Sequence, residues 1–152
     1  MDTPLSRTAL AAVLLALCAS LMPASAAQAQ SQDQYQLQAR VVTNNKRADH
    51  GLAELKKGDC VQKYARRQAR KMANQDRMFH QDLGVVQKQC GLTGVAENVA
   101  AGYSTGRSAV KAWMNSSGHR ANLLGSTYRV LGMAVRRSAD GTPYAAQVFG
   151  RG

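Results

Sequence analysis

Near its C-terminus the chain exchanges a helical hydrophobic period for strict alternation, and this switch restricts the fold more than any other feature. Leu131, Met133 and Val135 alternate with Gly132, Ala134 and Arg136, and Ala139-Asp140-Gly141-Thr142 is a hairpin turn. Residues 144–149 then read as the return strand. Before the switch the apolar spacing is helical. Leu37, Val41, Val42 and Ala48 fit a stripe over residues 36–48, with Gly51 as a stop. Asp59 is placed to cap a second helix reaching about Asn74, with Val61, Tyr64, Ala65, Gln68, Ala69 and Met72 as its inner face. Ser104 or Thr105 caps a third, with Ala109, Val110, Trp113 and Met114 inward. Gly118 interrupts it, and residues 120–124 form another turn. Residues 82–94 read as a loop. Helices first and a hairpin last define an α+β chain rather than βαβ alternation.

The first 29 residues read as a signal peptide. An apolar run over residues 8–22 follows Arg7, and Ala24-Ser25-Ala26 and Ala27-Gln28-Ala29 both satisfy the small-x-small cleavage rule. A polar, Gln-rich lead-in covers residues 30–35, and the domain itself covers 36–152. Roughly 120 residues suffice for one domain with a single modest core. Export places the chain outside the cytoplasm, secreted or periplasmic. Two cysteines, Cys60 and Cys90, then remain, and an even pair in an oxidising compartment is most simply a disulfide.

The formal net charge is +11. Anionic cell-wall polymer and anionic membrane surfaces are the physically matched partners. Nucleic acid is not expected, because stacking aromatics and recognisable nucleic-acid motifs are lacking. The helix expected from residue 59 carries Lys63, Arg66, Arg67, Arg70 and Lys71 on its outer face. Such a cluster is read first as a solvated face and second as an anion site.

Three polar landmarks stand out: His80 in Met78-Phe79-His80-Gln81-Asp82, Glu97 in Ala96-Glu97-Asn98-Val99, and His119 in Asn115-Ser116-Ser117-Gly118-His119-Arg120. A carboxylate and two imidazoles can hold a cation, move a proton or grip a polar ligand. Glu97 lies in an otherwise apolar stretch, so its charge needs a partner there. No HExxH or comparable local spacing marks a metal site. Gly102-Tyr103-Ser104-Thr105-Gly106 satisfies the G-x-S-x-G nucleophile pattern. However, no acid lies between Ser104 and His119 and no parallel strands precede it, so it reads as a turn with a helix cap.

These motifs resemble the CAP superfamily: cysteine-rich secretory proteins, antigen 5 and pathogenesis-related 1 proteins, with their SCP-like domain. Gly51-Leu52-Ala53-Glu54-Leu55, Ala96-Glu97-Asn98-Val99-Ala100, Trp113 through His119-Arg120-Ala121-Asn122-Leu123, and Gln147-Val148-Phe149-Gly150 carry the resemblance in order. It implies an α-β-α sandwich around a small antiparallel sheet. It also implies a cleft lined by two histidines and two acids that binds divalent metal in some members. Here the histidines are His80 and His119 and the first acid is Glu97. Met114-Asn115-Ser116-Ser117 supplies no second acid. Any metal, such as zinc held by His80 and His119, is then expected to bind more weakly than where both acids are present.

The reading that follows is an exported binding domain, rather than an enzyme, whose His/Glu cleft takes a small lipidic, sterol-like or anionic ligand. The first alternative is a metal-assisted hydrolase of peptide or cell-wall material with Glu97 as base. The second is an adhesive envelope protein acting through its basic face.

Overall fold

The computed structural model describes residues 30–152; the expected signal peptide, residues 1–29, lies outside the described residues. The elements run α1 Gln32–Ala48, β1 Lys56–Lys57, α2 Asp59–Asn74, α3 Leu83–Gln89, β2 Gly94–Ala101, α4 Gly106–Asn115, α5 Ser117–Leu123, β3 Val130–Arg137 and β4 Pro143–Arg151. The strands form one sheet in the order β1-β3-β4-β2. The expected hairpin β3–β4 and the pair β2–β4 are antiparallel, whereas the short β1 joins β3 in parallel. Strand β2 is therefore a free edge.

Alternation divides the sheet's side chains between two helical layers. Leu131, Met133, Val135, Ala145 and Phe149 pack on one face with Tyr35, Trp113 and Leu123 from α1, α4 and α5. Val99, Ala134, Ala146 and Val148 pack on the other with Val61, Ala65, Ala69, Met72 and Val86 from α2 and α3. The result is the α-β-α sandwich that the resemblance implies, within the α+β class that the order of elements predicts. Small residues on the α2 face allow close approach: a Cβ on Gly132 would lie 2.4 Å from the Val61 backbone. Past the end of β1 the outer edge of β3 is closed by Gln62, whose amide donates to Met133 O at 2.8 Å and accepts from Met133 N at 3.0 Å. A glutamine thus substitutes for a missing strand partner.

Several expected boundaries move. The lead-in is helical from Gln32, because Ser31 and Gln34 form a reciprocal capping box. The inner face of α1 is Tyr35, Ala39, Val42, Thr43 and Arg47, while Leu37 and Val41 are 64% and 48% exposed. The cause is the tight crossing of α1 over α4. A Cβ at Gly106 would stand 2.3 Å from Tyr35 O and 2.7 Å from Ala39 N, so only small residues fit there and the larger aliphatics turn outward. Gly58 is the N-cap of α2, and Asp59 occupies its first turn without capping it. On α2, Gln62 is buried and Tyr64 only half-buried. The expected loop at 82–94 contains α3, capped by Asp82, and the first residue of β2. Only Val86 of α3 is buried, too sparse a signal to show as a period. The break between α4 and α5 falls at Ser116, with φ −102° and ψ 124°, and Gly118 sits inside α5.

Two constraints hold the periphery. Arg47 is fully buried, and its guanidinium donates to Ala53 O, Leu123 O and Gly125 O, each at 2.9 Å. It ties the end of α1 to the segment before β1 and to the end of α5. Burial, and then Arg129, lower its pKa from the usual guanidinium value. The expected Cys60–Cys90 disulfide joins the first turn of α2 to the C-cap of α3 across a sequence separation of 30.

A ring of that length stabilises the fold by about 3–4 kcal/mol in the chain-entropy model. Urea unfolding with and without reductant is expected to show a loss of that order, and Cys60→Ser/Cys90→Ser is expected to match the reduced protein. Arg47→Lys keeps the charge but cannot span three carbonyls, and its expected cost in the same assay is about 2–4 kcal/mol.

Candidate functional site

The site forms across the free edge of β2. Successive residues of that strand point to opposite faces of the sheet, so Glu97 faces the α2 side and Asn98 the α5 side. Glu97 is enclosed, with none of its side chain exposed. Three donors satisfy its carboxylate: His80 Nδ1 at 2.8 Å and Gln81 N at 3.3 Å on Oε2, and Gln81 Nε2 at 2.6 Å on Oε1. This answers the desolvation problem noted for a carboxylate in an apolar strand.

His80 reaches Glu97 because the segment after α2 is pinned at several points. Asp76 takes a positive φ of 45°, turning the chain out of the helix. Its carboxylate accepts the Tyr144 hydroxyl at 2.7 Å, a bond that pushes the Tyr144 pKa up to about 12. Gln68 donates its amide to Phe79 O, and Arg77 lies over the Phe79 ring. His80 follows, with 58% of its side chain exposed beyond the Glu97 contact.

His119 arrives from α5 on the other side of the edge. Its Nδ1 lies 2.9 Å from Ser116 Oγ, the residue that separates α4 from α5. Burial, and then the nearby His80, lower its pKa below the ordinary imidazole value. It does not touch Glu97. The two are linked through asparagines: Asn122 Nδ2 donates to Glu97 O at 3.2 Å and to Asn98 Oδ1 at 3.0 Å, and Asn98 Nδ2 donates to His119 O at 3.2 Å. Behind them Asn98 meets Gln147 at 3.4 Å, and Gln147 donates to Thr43 on α1 at 2.8 Å. Trp113 Nε1 donates to Val99 O at 3.0 Å.

All three residues marked in the sequence are thus at this edge, His80 and Glu97 in contact and His119 beside them. Gln81, Asn98, Asn122 and Gln147 were missed as participants. The available signal was slight: Gln81 and Asn98 directly follow marked residues, and Asn122 lies three positions after His119. Ser104 is exposed in the loop before α4, and Thr105 caps that helix in a capping box with Ser108. The G-x-S-x-G stretch is a turn and a cap.

A cavity of about 300 Å³ opens along the same strand edge, lined by Val99, Ala100, Ala101, Met78, Trp113 and His119 among others. Tyr103, Ala112 and Ser116 join it to a shallower hollow of about 480 Å³ beside α4. His119 and Ser116 add polar groups to its lining. As to a metal, Glu97 has spent both oxygens, leaving Nε2 of His80 and of His119 as the candidate donors. Two donors are fewer than the three protein ligands of a catalytic zinc centre. Among the described residues, no three His, Cys, Asp or Glu side chains come together as a metal-holding group. The side chains present do not make a resident metal site.

The comparisons identify the family to which this α-β-α sandwich belongs. The family model described as the cysteine-rich secretory protein family, CAP, matches residues 41–149. The chain belongs to that family. It is 30% identical over 129 residues to the uncharacterized Bacillus subtilis protein YkwD, covering 77% of this chain and 48% of that protein. An extracellular SCP-domain protein from Bacillus anthracis superimposes with a TM-score of 0.69 at 26% identity, over 80% of this chain and 41% of that one. An outer surface protein from Borrelia burgdorferi shares the fold, with a TM-score of 0.70 at 20% identity over 80% and 95% of the two chains. The chain spans less than half the length of the first two.

Between the lowered value of His119 in the fold and the ordinary 6.5, the unfolded chain binds more protons than the native one. Stability is therefore expected to fall as pH drops through that window, and His119→Gln is expected to flatten the slope. NMR titration of the His119 ring checks the same point and should place its midpoint below 6.5. Glu97→Gln keeps the shape but loses a charge-assisted bond, with an expected cost of about 1.5–3 kcal/mol by chemical unfolding.

Proposed function

We propose that this protein is an exported binding domain whose edge cleft takes a small amphiphile, with the chain of the ligand along the groove and its polar head at His119. The observation that carries the reading is the mixed lining of the cavity: alanines, Val99, Met78 and the Trp113 ring make most of it apolar, and His119 and Ser116 add polar groups. Its size lies at the lower end of the range for small-molecule pockets, and the adjoining hollow extends it. Met78 and Tyr103, 52% and 39% exposed, offer the entering ligand apolar surface at the rim.

The Glu97–His80 pair has a positioning role here. A carboxylate with every oxygen occupied and no exposure orients an imidazole; it does not take a proton from a substrate. This counts against the hydrolase in which Glu97 is the base. Export is supported by the apolar N-terminal run and by a disulfide suited to an oxidising compartment. In addition, no helix among the described residues is long and apolar enough to cross a membrane.

Laurate and dodecanol separate the two halves of the reading. Titration followed by Trp113 fluorescence is expected to show saturable binding of both. Ala112→Phe, which fills the groove, is expected to weaken both by about tenfold or more, the loss of roughly 1.4 kcal/mol. His119→Ala is expected to weaken laurate and leave dodecanol within about twofold. No saturable binding of either probe, or equal loss of both in His119→Ala, would count against this assignment.

A further inference from the structure

Away from the cleft, the groove between α1 and α2 gathers arginines that form no ion pair among the described residues. A hollow of about 540 Å³ lies there, with Arg66 and Arg70 of α2 on one wall, the first turns of α1 on the other, and Arg136 from the end of β3 closing it. It runs on into a smaller hollow of about 180 Å³ where Arg40 and Lys57 join, the two sharing Asp33, Gln36 and Arg66.

Lys57 has an acidic neighbour, Asp59 Oδ1 at 3.8 Å. Among the described residues, Arg40, Arg66, Arg70 and Arg136 form no ion pair. Asp33, the one carboxylate lining either hollow, accepts from Gln36 Nε2 at 3.3 Å. Arg136 spends one nitrogen on Gln32 and on Val135 O. Arg67, the neighbour of Arg66, is turned away over the Tyr64 ring at 5.5 Å.

We propose that the α1/α2 groove binds a linear phosphate-bearing polyanion, with Arg66, Arg70 and Arg136 on its phosphates. Guanidinium forks match phosphate oxygens in pairs, which a lysine cannot do. Arg66 and Arg70 are one helical turn apart, about 6 Å along α2, so they line the same wall of the groove. The groove is concave, which admits a chain and does not match a flat bilayer. No aromatic ring lines it, so bases would have no stacking platform and a nucleic acid would be held only by its backbone.

The test uses the exported chain with its disulfide intact and long-chain inorganic polyphosphate as the probe, titrated across a range of salt. Arg66→Gln/Arg70→Gln, an exposed pair, is expected to weaken binding by at least about tenfold at low salt and to reduce the log–log salt slope by about two. Lys88→Gln/Arg107→Gln removes the same charge from exposed positions elsewhere and is expected to change affinity by less than about twofold. Equal loss in the two double variants would mean diffuse attraction and would overturn the groove. Polyglutamate or phosphatidylglycerol vesicles binding as tightly as polyphosphate at matched charge would overturn the phosphate-chain assignment.

Discussion

A free strand edge inside a folded protein leaves outward carbonyls that need donors, and the arrangement of this molecule follows from how β2 meets that need. Glu97 O and Val99 O point away from the sheet. Asn122 covers the first and the Trp113 indole the second. An edge closed by side chains cannot recruit another strand, and the helices that supply those side chains are fixed to it. α4 and α5 are therefore held at set positions against β2, which brings His119 beside His80. The cleft is a by-product of protecting the edge: Trp113 both closes the backbone and forms a wall of the cavity.

The legible and illegible parts of the sequence divide by physical cause. The hairpin β3–β4 was visible because its apolar residues alternate and its turn carries Asp-Gly. The inner face of α2 was nearly visible because it packs against a wide sheet at full helical period. α1 was misread because its contact with α4 is set by Gly106 and Ala39, a close backbone approach that leaves no hydrophobic stripe. α3 escaped because a seven-residue helix with one buried side chain has no period to detect. At the site, ionisable residues in an apolar context stood out, whereas the amides that join them did not. Asn98, Asn122 and Gln147 act by completing a hydrogen-bond chain, and such roles depend on which faces of different elements come together. Composition carries no trace of that.

Charge is distributed unevenly between the two surfaces. At the cleft, the buried Glu97 is matched by His80, and burial and a neighbouring imidazole favour the neutral form of His119. The outer face of α2 and the end of β3 carry the unpaired arginines. A neutral, partly apolar cleft suits a ligand that must leave water, and an unpaired basic groove suits one that stays hydrated along most of its length. The two share no lining residue.

The disulfide has a topological consequence. Joining Cys60 to Cys90 closes residues 60–90 into a covalent ring that holds all of α2 except its first residue, the Asp76 turn and α3. His80, Gln81, Arg66 and Arg70 are inside the ring, while Glu97, Asn98, Trp113, His119 and Arg136 are outside. Both surfaces are therefore seams between a tethered loop and the rest of the chain. Opening that ring would remove the covalent tether from one side of each seam at once.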